Sequence, residues 1–401
     1  MRLALIRHEL NLMVKNKKNV LLLFFLILGT LVYTFVWLPN DHRSESLQYE
    51  EISRELEVID AIQKTREERK ATGYSPMAGR NYYADTNFYA KLYSAMIHAF
   101  DEGDFERYAF LRSHYLFGIK EDYFPMDYLL PDSPFPVKDL LHTIEKRLVT
   151  YEYLLTSNIR ITYEVIEEKT SLQVFANLFS TYGPYLFLFL SIYISNDILT
   201  RDRKNTTTIE GLPVSWYQFI NSKSIAAVFY TFLISFGFFG LSFFFIGITK
   251  GFGSFDLKIP VLGERIDNLH YEYSIMPIGK YLLIALLFLV LFQILFIRLN
   301  MIFSLLFKNE WIVLALSVFL LIMEKIYFAR DKRELFNQDI SLFPQTYIDF
   351  GKVITGEKNF LLNIDSIYYL KGLIILLLTW FIVEITLFLA TKIITKRRFY
   401  Q

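Results

Sequence analysis

The 401-residue chain is 53% hydrophobic and 17% aromatic, richer in apolar residues than an ordinary soluble domain. Its 42 Lys+Arg nearly balance 41 Asp+Glu, so no global positive field points to nucleic acid. The absence of cysteine removes disulfides, zinc ribbons, iron–sulfur clusters and thiol nucleophiles together.

Residues 1–19 read as an amphipathic helix, with Leu3, Ile6, Leu10 and Met13 on one face and Arg2, Arg7 and Lys15 largely off it. Such a helix lies on a membrane surface with its basic residues near the phosphates. A bilayer core about 30 Å thick needs roughly 20 apolar residues per helix. Six segments meet that length: 20–38, 174–195, 222–248, 280–306, 311–328 and 371–391. The first is too long for the apolar core of a signal peptide and ends in Trp37-Leu38-Pro39 without a small-residue cleavage site, so it reads as a retained span. Gly183-Pro184 interrupts the second, where proline removes one backbone hydrogen bond and kinks the helix.

Between the first two spans, residues 39–173 are too long and too patterned for a linker. Leu47, Ile52, Leu56, Ile59 and Ile62 recur near helical period until Gly73 and Pro76 break the pattern. Phe88, Leu92, Met96 and Ala99 mark a second helix, and Phe105 to Phe117 a third. Prolines 125, 131, 134 and 136 make 121–136 extended or turning, and a helical pattern resumes from Val137. The expectation is a mostly helical external domain whose many tyrosines serve as core or as a surface for an amphipathic ligand.

Orientation follows from lysine and arginine. With a cytoplasmic N-terminus, the inside segments 1–19, 196–221, 307–310 and 392–401, with Lys223 and Arg298 at the span edges, hold 15 Lys+Arg against five acids. Residues 39–173 hold 16 basic and 24 acidic residues. The basic excess lies inside, as the positive-inside rule requires, and both termini are expected in the cytoplasm of a plasma-membrane protein.

Enzyme motifs are missing. The chain has no GxxxxGK[ST] phosphate loop, no HExxH and no GxSxG. All six histidines (His8, His42, His98, His114, His142 and His270) fall outside the spans, which makes axial haem ligation within the membrane hard to arrange. His142 and Glu145 at i, i+3 read as a surface pair rather than a metal site. Nothing in these motifs points to an enzyme, and no catalytic residue, metal or cofactor is expected in this chain.

The loop 196–221 is the most informative segment. After a charged run at Arg201–Lys204 and three threonines, Glu210-Gly211-Leu212-Pro213-Val214-Ser215 places an apolar corner where water should be, and such a corner is covered by a partner. A charged turn after the second span, a threonine-rich stretch, Glu-Gly-Leu-Pro-Val-Ser and Lys223 entering the third span resemble the permease subunits of type-2 ABC exporters. The whole-chain plan is similar too: a basic amphipathic N-terminal helix, a large external insertion after the first span, six spans and a basic tail. The resemblance implies an all-α polytopic fold with domains at 1–19, 20–38, 39–173 and 174–401. It implies that 196–221 is a coupling loop docking on a separate ATPase. Glu210, Gly211, Leu212, Pro213 and Val214 would make that contact, with Arg7, His8 and Glu9 beside them. It further implies ATP and Mg in the partner chain, a second permease copy or paralogue, and export of an amphipathic peptide, lipid-like molecule or antibiotic. The rival readings are a secondary transporter, or a membrane-anchored sensor or assembly factor whose external domain binds a ligand.

Within the spans, Asn177, Ser180, Thr181 and Tyr182 beside the kink are the candidates for a polar transport path. Glu384 is the charge deepest in the last span, where an unpaired acid costs roughly 2.5–3.5 kcal/mol, so it is expected to find a donor across a helix interface, Arg298 being one candidate. Glu324-Lys325 reads as a local pair near the end of the fifth span.

Overall fold

The computed structural model describes residues 2–41, 49–74, 81–121, 133–204, 213–266, 270–330 and 333–400. In chain order the principal elements are α1 (Arg2–Lys15), α2 (Lys17–Val32), α3 (Tyr49–Glu68), α4 (Tyr82–Asp101), α5 (Phe105–Glu121), α6 (Pro136–Thr156), α7 (Ser171–Ser180) and α8 (Gly183–Ser195). There follow α9 (Trp216–Lys250), strands β1 (Lys258–Arg265) and β2 (Tyr271–Pro277), α10 (Ile278–Phe307), α11 (Glu310–Tyr327), α12 (Tyr369–Ile393) and α13 (Lys396–Tyr400). The chain divides into two units, one of residues 1–37, 174–252 and 278–401, the other of 38–173 and 253–277.

The first unit is a helical assembly around α10. Among the described residues, four helical stretches are long and apolar enough to cross a membrane: Lys17–Asn40, which continues α2 through a π-helical turn at Tyr33–Trp37, then Trp216–Lys250, Ile278–Phe307 and Tyr369–Ile393. A fifth crossing is available if Tyr163–Ser180 and Gly183–Arg203 act as one, but these meet at 73°. The expected span 174–195 is thus a sharply bent pair. Gly183 makes the bend feasible, because a Cβ there would lie 2.5 Å from the carbonyl oxygen of Leu178, closer than any packed side chain allows. Pro184 in the first turn of α8 needs no hydrogen-bond partner for its nitrogen. The expected span 311–328 is helical as α11 but carries Glu310, Glu324 and Lys325, and it falls outside the four.

Local chemistry sets the helix ends. Asn16 separates α1 from α2 and its side chain accepts from the Lys18 amide at 3.1 Å. Ser215 caps α9 and Asn309 caps α11 in the same way. Helix α9 stops at Gly251, whose φ of 85° suits glycine. Helix α10 packs against α8, α9, α11 and α12 and buries Tyr281, Phe288 and Phe292 almost completely.

In the second unit α3 to α6 pack successively around Ile52, Leu92, Met96, Ala99, Leu140 and Ile144. Tyr93, Tyr108, Tyr115 and Tyr151 belong to this core, and burial pushes the Tyr108 hydroxyl well above its usual range. Tyr93 donates to Glu55 and accepts from the Tyr115 hydroxyl at 2.9 Å, so the rings that fill the core also satisfy their polar ends. An antiparallel hairpin of β1 and β2, paired from Lys258↔Pro277 to Leu262↔Tyr273 with an irregularity before Arg265, packs on α6. This hairpin departs from the all-α expectation.

Candidate functional site

A charge network in the first unit ties α1 to the segment after α8 and to α9. Glu9 is 3% exposed, with its carboxylate on Arg201 and 2.6 Å from Lys223 Nζ. Lys223 also meets Asp202 at 2.9 Å and donates to the carbonyl of Ile198 at 3.4 Å. Beside it, Lys18 reaches Asp197 at 2.9 Å and Asn196 Oδ1 at 2.7 Å, and Asn16 donates to Asp197 at 3.3 Å. Three cations therefore meet three carboxylates where α1, α8 and α9 converge, so no charge is buried without a counter-ion. Glu9 is turned into the protein, whereas Arg7, His8 and Pro213 are exposed and Val214 is half-buried. Glu210, Gly211 and Leu212 lie outside the described residues.

The C-terminal end of the chain joins the same end of the unit. Trp216 opens α9, donates from Nε1 to the carbonyl of Ile394 at 2.9 Å and packs its ring on Phe399. Lys308 reaches the carbonyl of Arg398 at 2.9 Å, and Arg203 that of Lys308 at 3.2 Å. Between Asn16, Asp197, Thr200, Lys308 and Glu310 lies an open cleft of about 620 Å³.

Farther along these helices, Glu384 of α12 lies 3.3 Å from Arg298 Nε and accepts from the Tyr217 hydroxyl at 2.7 Å. Arg298 also donates to Asn221 at 2.7 Å. The acid deep in the last span thus has a cation on α10 and a hydroxyl on α9.

The four candidates beside the bend do not form one stripe. Ser180 shares a hydrogen bond of 2.8 Å with the buried Tyr281 hydroxyl, which donates to the carbonyl of Ala176 at 3.1 Å. Thr181 is exposed and returns its hydroxyl to the carbonyl of Asn177 at 2.9 Å, Asn177 itself is half-buried, and Tyr182 is 83% exposed. The polar hub of the interior is Asn300 of α10. It donates to the carbonyl of Ile192 at 2.9 Å and to Ser195 at 2.6 Å, and accepts from Ser317, stitching α8, α10 and α11 together. Asn300 and Ser317 were visible in the sequence as polar residues inside apolar runs; what they join was not.

At the opposite end of α8 a second buried network replaces the expected Glu324–Lys325 pair. Glu324 pairs with Lys358, and Lys325 lies 3.0 Å from Asp349 instead. Lys358 is 1% exposed and also approaches Asp349 at 3.3 Å, while Tyr185 of α8 donates to Glu324 at 3.1 Å. Two adjacent side chains at i, i+1 cannot face each other on a helix, so each finds a partner in the segment between α11 and α12. Burial alone would raise the Asp349 carboxyl, but Lys358 and Lys325 outweigh it and hold the group below its ordinary value.

In the second unit, Glu145 pairs with Lys120 and with His270, each at 3.0 Å, while His142 shares a hydrogen bond of 2.6 Å with the Tyr273 hydroxyl. Among the described residues no three acids or histidines gather as metal ligands. Comparison with protein-family models, curated proteins and solved structures finds no match for the chain.

Proposed function

We propose that the chain is the membrane-spanning subunit of an ATP-driven type-2 ABC exporter that moves an amphipathic substrate across the plasma membrane. The observation that carries this reading is the assembly around Glu9. A basic surface helix, the segment after α8 and the start of α9 are locked by buried ion pairs, while Arg7, His8 and Pro213 remain exposed beside them. A partner pressing on the 206–215 loop would therefore move α1 and α9 as one body. The missing phosphate loop fits a subunit that receives its motion from a separate ATPase with ATP and Mg bound.

The topology we propose has six crossings: α2, the bent α7–α8 pair, α9, α10, α11 and α12. Helix α11, at 18 residues, is about 27 Å long, and Glu324 and Lys325 near its end are neutralised by Lys358 and Asp349. Contacts of Trp216 with Ile394 and Phe399 and of Glu9 with Lys223 favour both chain ends on one side, the cytoplasm, with 39–173 external. A second permease copy completes the path. The bent pair and buried carboxylates also favour a second reading, a secondary transporter.

The test is whether a neighbouring reading frame encodes a P-loop ATPase and what that ATPase does when co-expressed with this chain. A permease copurifies with it in detergent and changes its ATP turnover on reconstitution. Transport that follows a proton gradient and ignores ATP would select the secondary transporter.

A further inference from the structure

Helix α2 leaves a groove in the first unit, walled by Phe25, Gly29, Tyr33 and Trp37 on one side and by Phe175 and Phe238 among the facing residues. We infer that this groove binds a single acyl chain of a bilayer phospholipid. The inference requires only that α2 and α9 lie in a bilayer, and does not depend on ATP coupling.

The argument begins with the surroundings. The α2 wall and Phe238 belong to stretches apolar enough to cross a membrane, and Phe175 to the bent pair that is apolar enough when its halves are taken together, so in a bilayer the groove opens to hydrocarbon rather than water. Its hydroxyls are already engaged: Thr30 donates to the carbonyl of Leu26 at 2.8 Å and lies 3.5 Å from Ser242. A polar ligand would find little to bind. Size then selects the occupant. The groove holds about 420 Å³, and the helical rise from Phe25 to Trp37 is about 18 Å, giving a mean width of about 5 Å. Packed carbons sit about 3.5–4.0 Å apart, so one extended acyl chain fits. A helix from a second protein, about 10 Å across with its side chains, does not.

Two local features shape the groove. A Cβ added at Gly29 would meet nothing within 4 Å, so glycine there leaves open space that another residue would fill. The π-helical turn Tyr33–Trp37 rotates the end of α2 by an extra residue and sets Tyr33 and Trp37 on the same wall. Tyrosine and tryptophan favour the level of the headgroups, which fixes the headgroup of the bound lipid at that end.

The purified chain in nanodiscs doped with a phospholipid bearing a tail diazirine provides the test. After irradiation, lipid adducts should concentrate on the peptides containing Phe25–Trp37 and Phe238–Ile246, above the level on exposed Leu378 and Phe381 of α12. Gly29→Phe should lower the groove adducts roughly tenfold, equivalent to about 1.4 kcal/mol of lost binding. Gly237→Phe is the folding control, because a Cβ there also meets open space outside the groove lining. It should elute and label like the native chain. Equal labelling of the groove and α12, or undiminished labelling in Gly29→Phe, would each overturn the inference.

Discussion

Replacing Lys358 with methionine removes one cation from between two carboxylates. Lys358 and Glu324 are each 1% exposed and Asp349 4%, so water cannot replace the lost charge. Breaking a buried pair by deleting one partner costs about 3–5 kcal/mol. Lys325 still faces Asp349 at 3.0 Å, but its side chain is 51% exposed, and such a pair returns at most about 1 kcal/mol. The expected net loss is therefore about 3 kcal/mol, read as a lower apparent midpoint of thermal unfolding in detergent. The double variant Lys358→Met with Glu324→Gln should recover most of it, because the amide leaves no charge and keeps the hydrogen bond from Tyr185. The pH dependence has a definite sign. In the native protein Asp349 is held below its ordinary value of 3.8, so its stabilisation is fully present above about pH 4 and disappears as pH falls through the folded-state value. In the single variant Asp349 has lost its strongest cation, so its carboxyl should take up a proton at higher pH than in the native protein and the penalty should shrink as pH falls. A single variant that melts like the native protein, or a double variant no better than the single, would refute this account of the cluster.

Glu384→Gln keeps shape and hydrogen bonding beside Tyr217 and should assemble normally, whereas Glu384→Leu leaves the Arg298 guanidinium without its acid and should lose about 1–3 kcal/mol of thermal stability in detergent. Gly183→Ala forces a Cβ against the Leu178 carbonyl and should cost about 1–3 kcal/mol, measurable as a lower unfolding midpoint, with Gly237→Ala as a neutral comparison. Aspartate at both Leu212 and Val214 should leave membrane insertion intact, abolish copurification with the ATPase and cost several kcal/mol of binding, as at a central hot spot.

Long apolar runs made four helices long and apolar enough to cross a membrane legible, because a helix in hydrocarbon needs little else from its sequence. The break at Gly183-Pro184 was equally plain. Its 73° angle was not, since that depends on how closely Leu178 approaches Gly183. The β1–β2 hairpin was missed because neither strand alternates strictly between apolar and polar residues, and its pairing joins two separate segments, Lys258–Arg265 and Tyr271–Pro277. Charge pairing divided by distance along the chain. The cost of Glu384 announced that a donor was needed, and Arg298 was one of few cations near a span. Lys358 sits 34 residues beyond Glu324 in a mixed-charge segment where nothing in the sequence distinguishes it from its neighbours. The same holds for Glu9, whose burial depends on α1 folding back onto Arg201 and Lys223.

The claim that this chain is driven by a separate ATPase is tested most directly at Val214. Incorporating a photoreactive phenylalanine at that position in the full-length chain, expressed in its native membrane, and irradiating should give one dominant adduct. The account predicts that mass spectrometry identifies the adduct as a P-loop ATPase, and that Leu212→Asp abolishes it. A reagent at Val214 that crosslinks only to lipid or within the chain, while the protein remains folded and inserted, would contradict it.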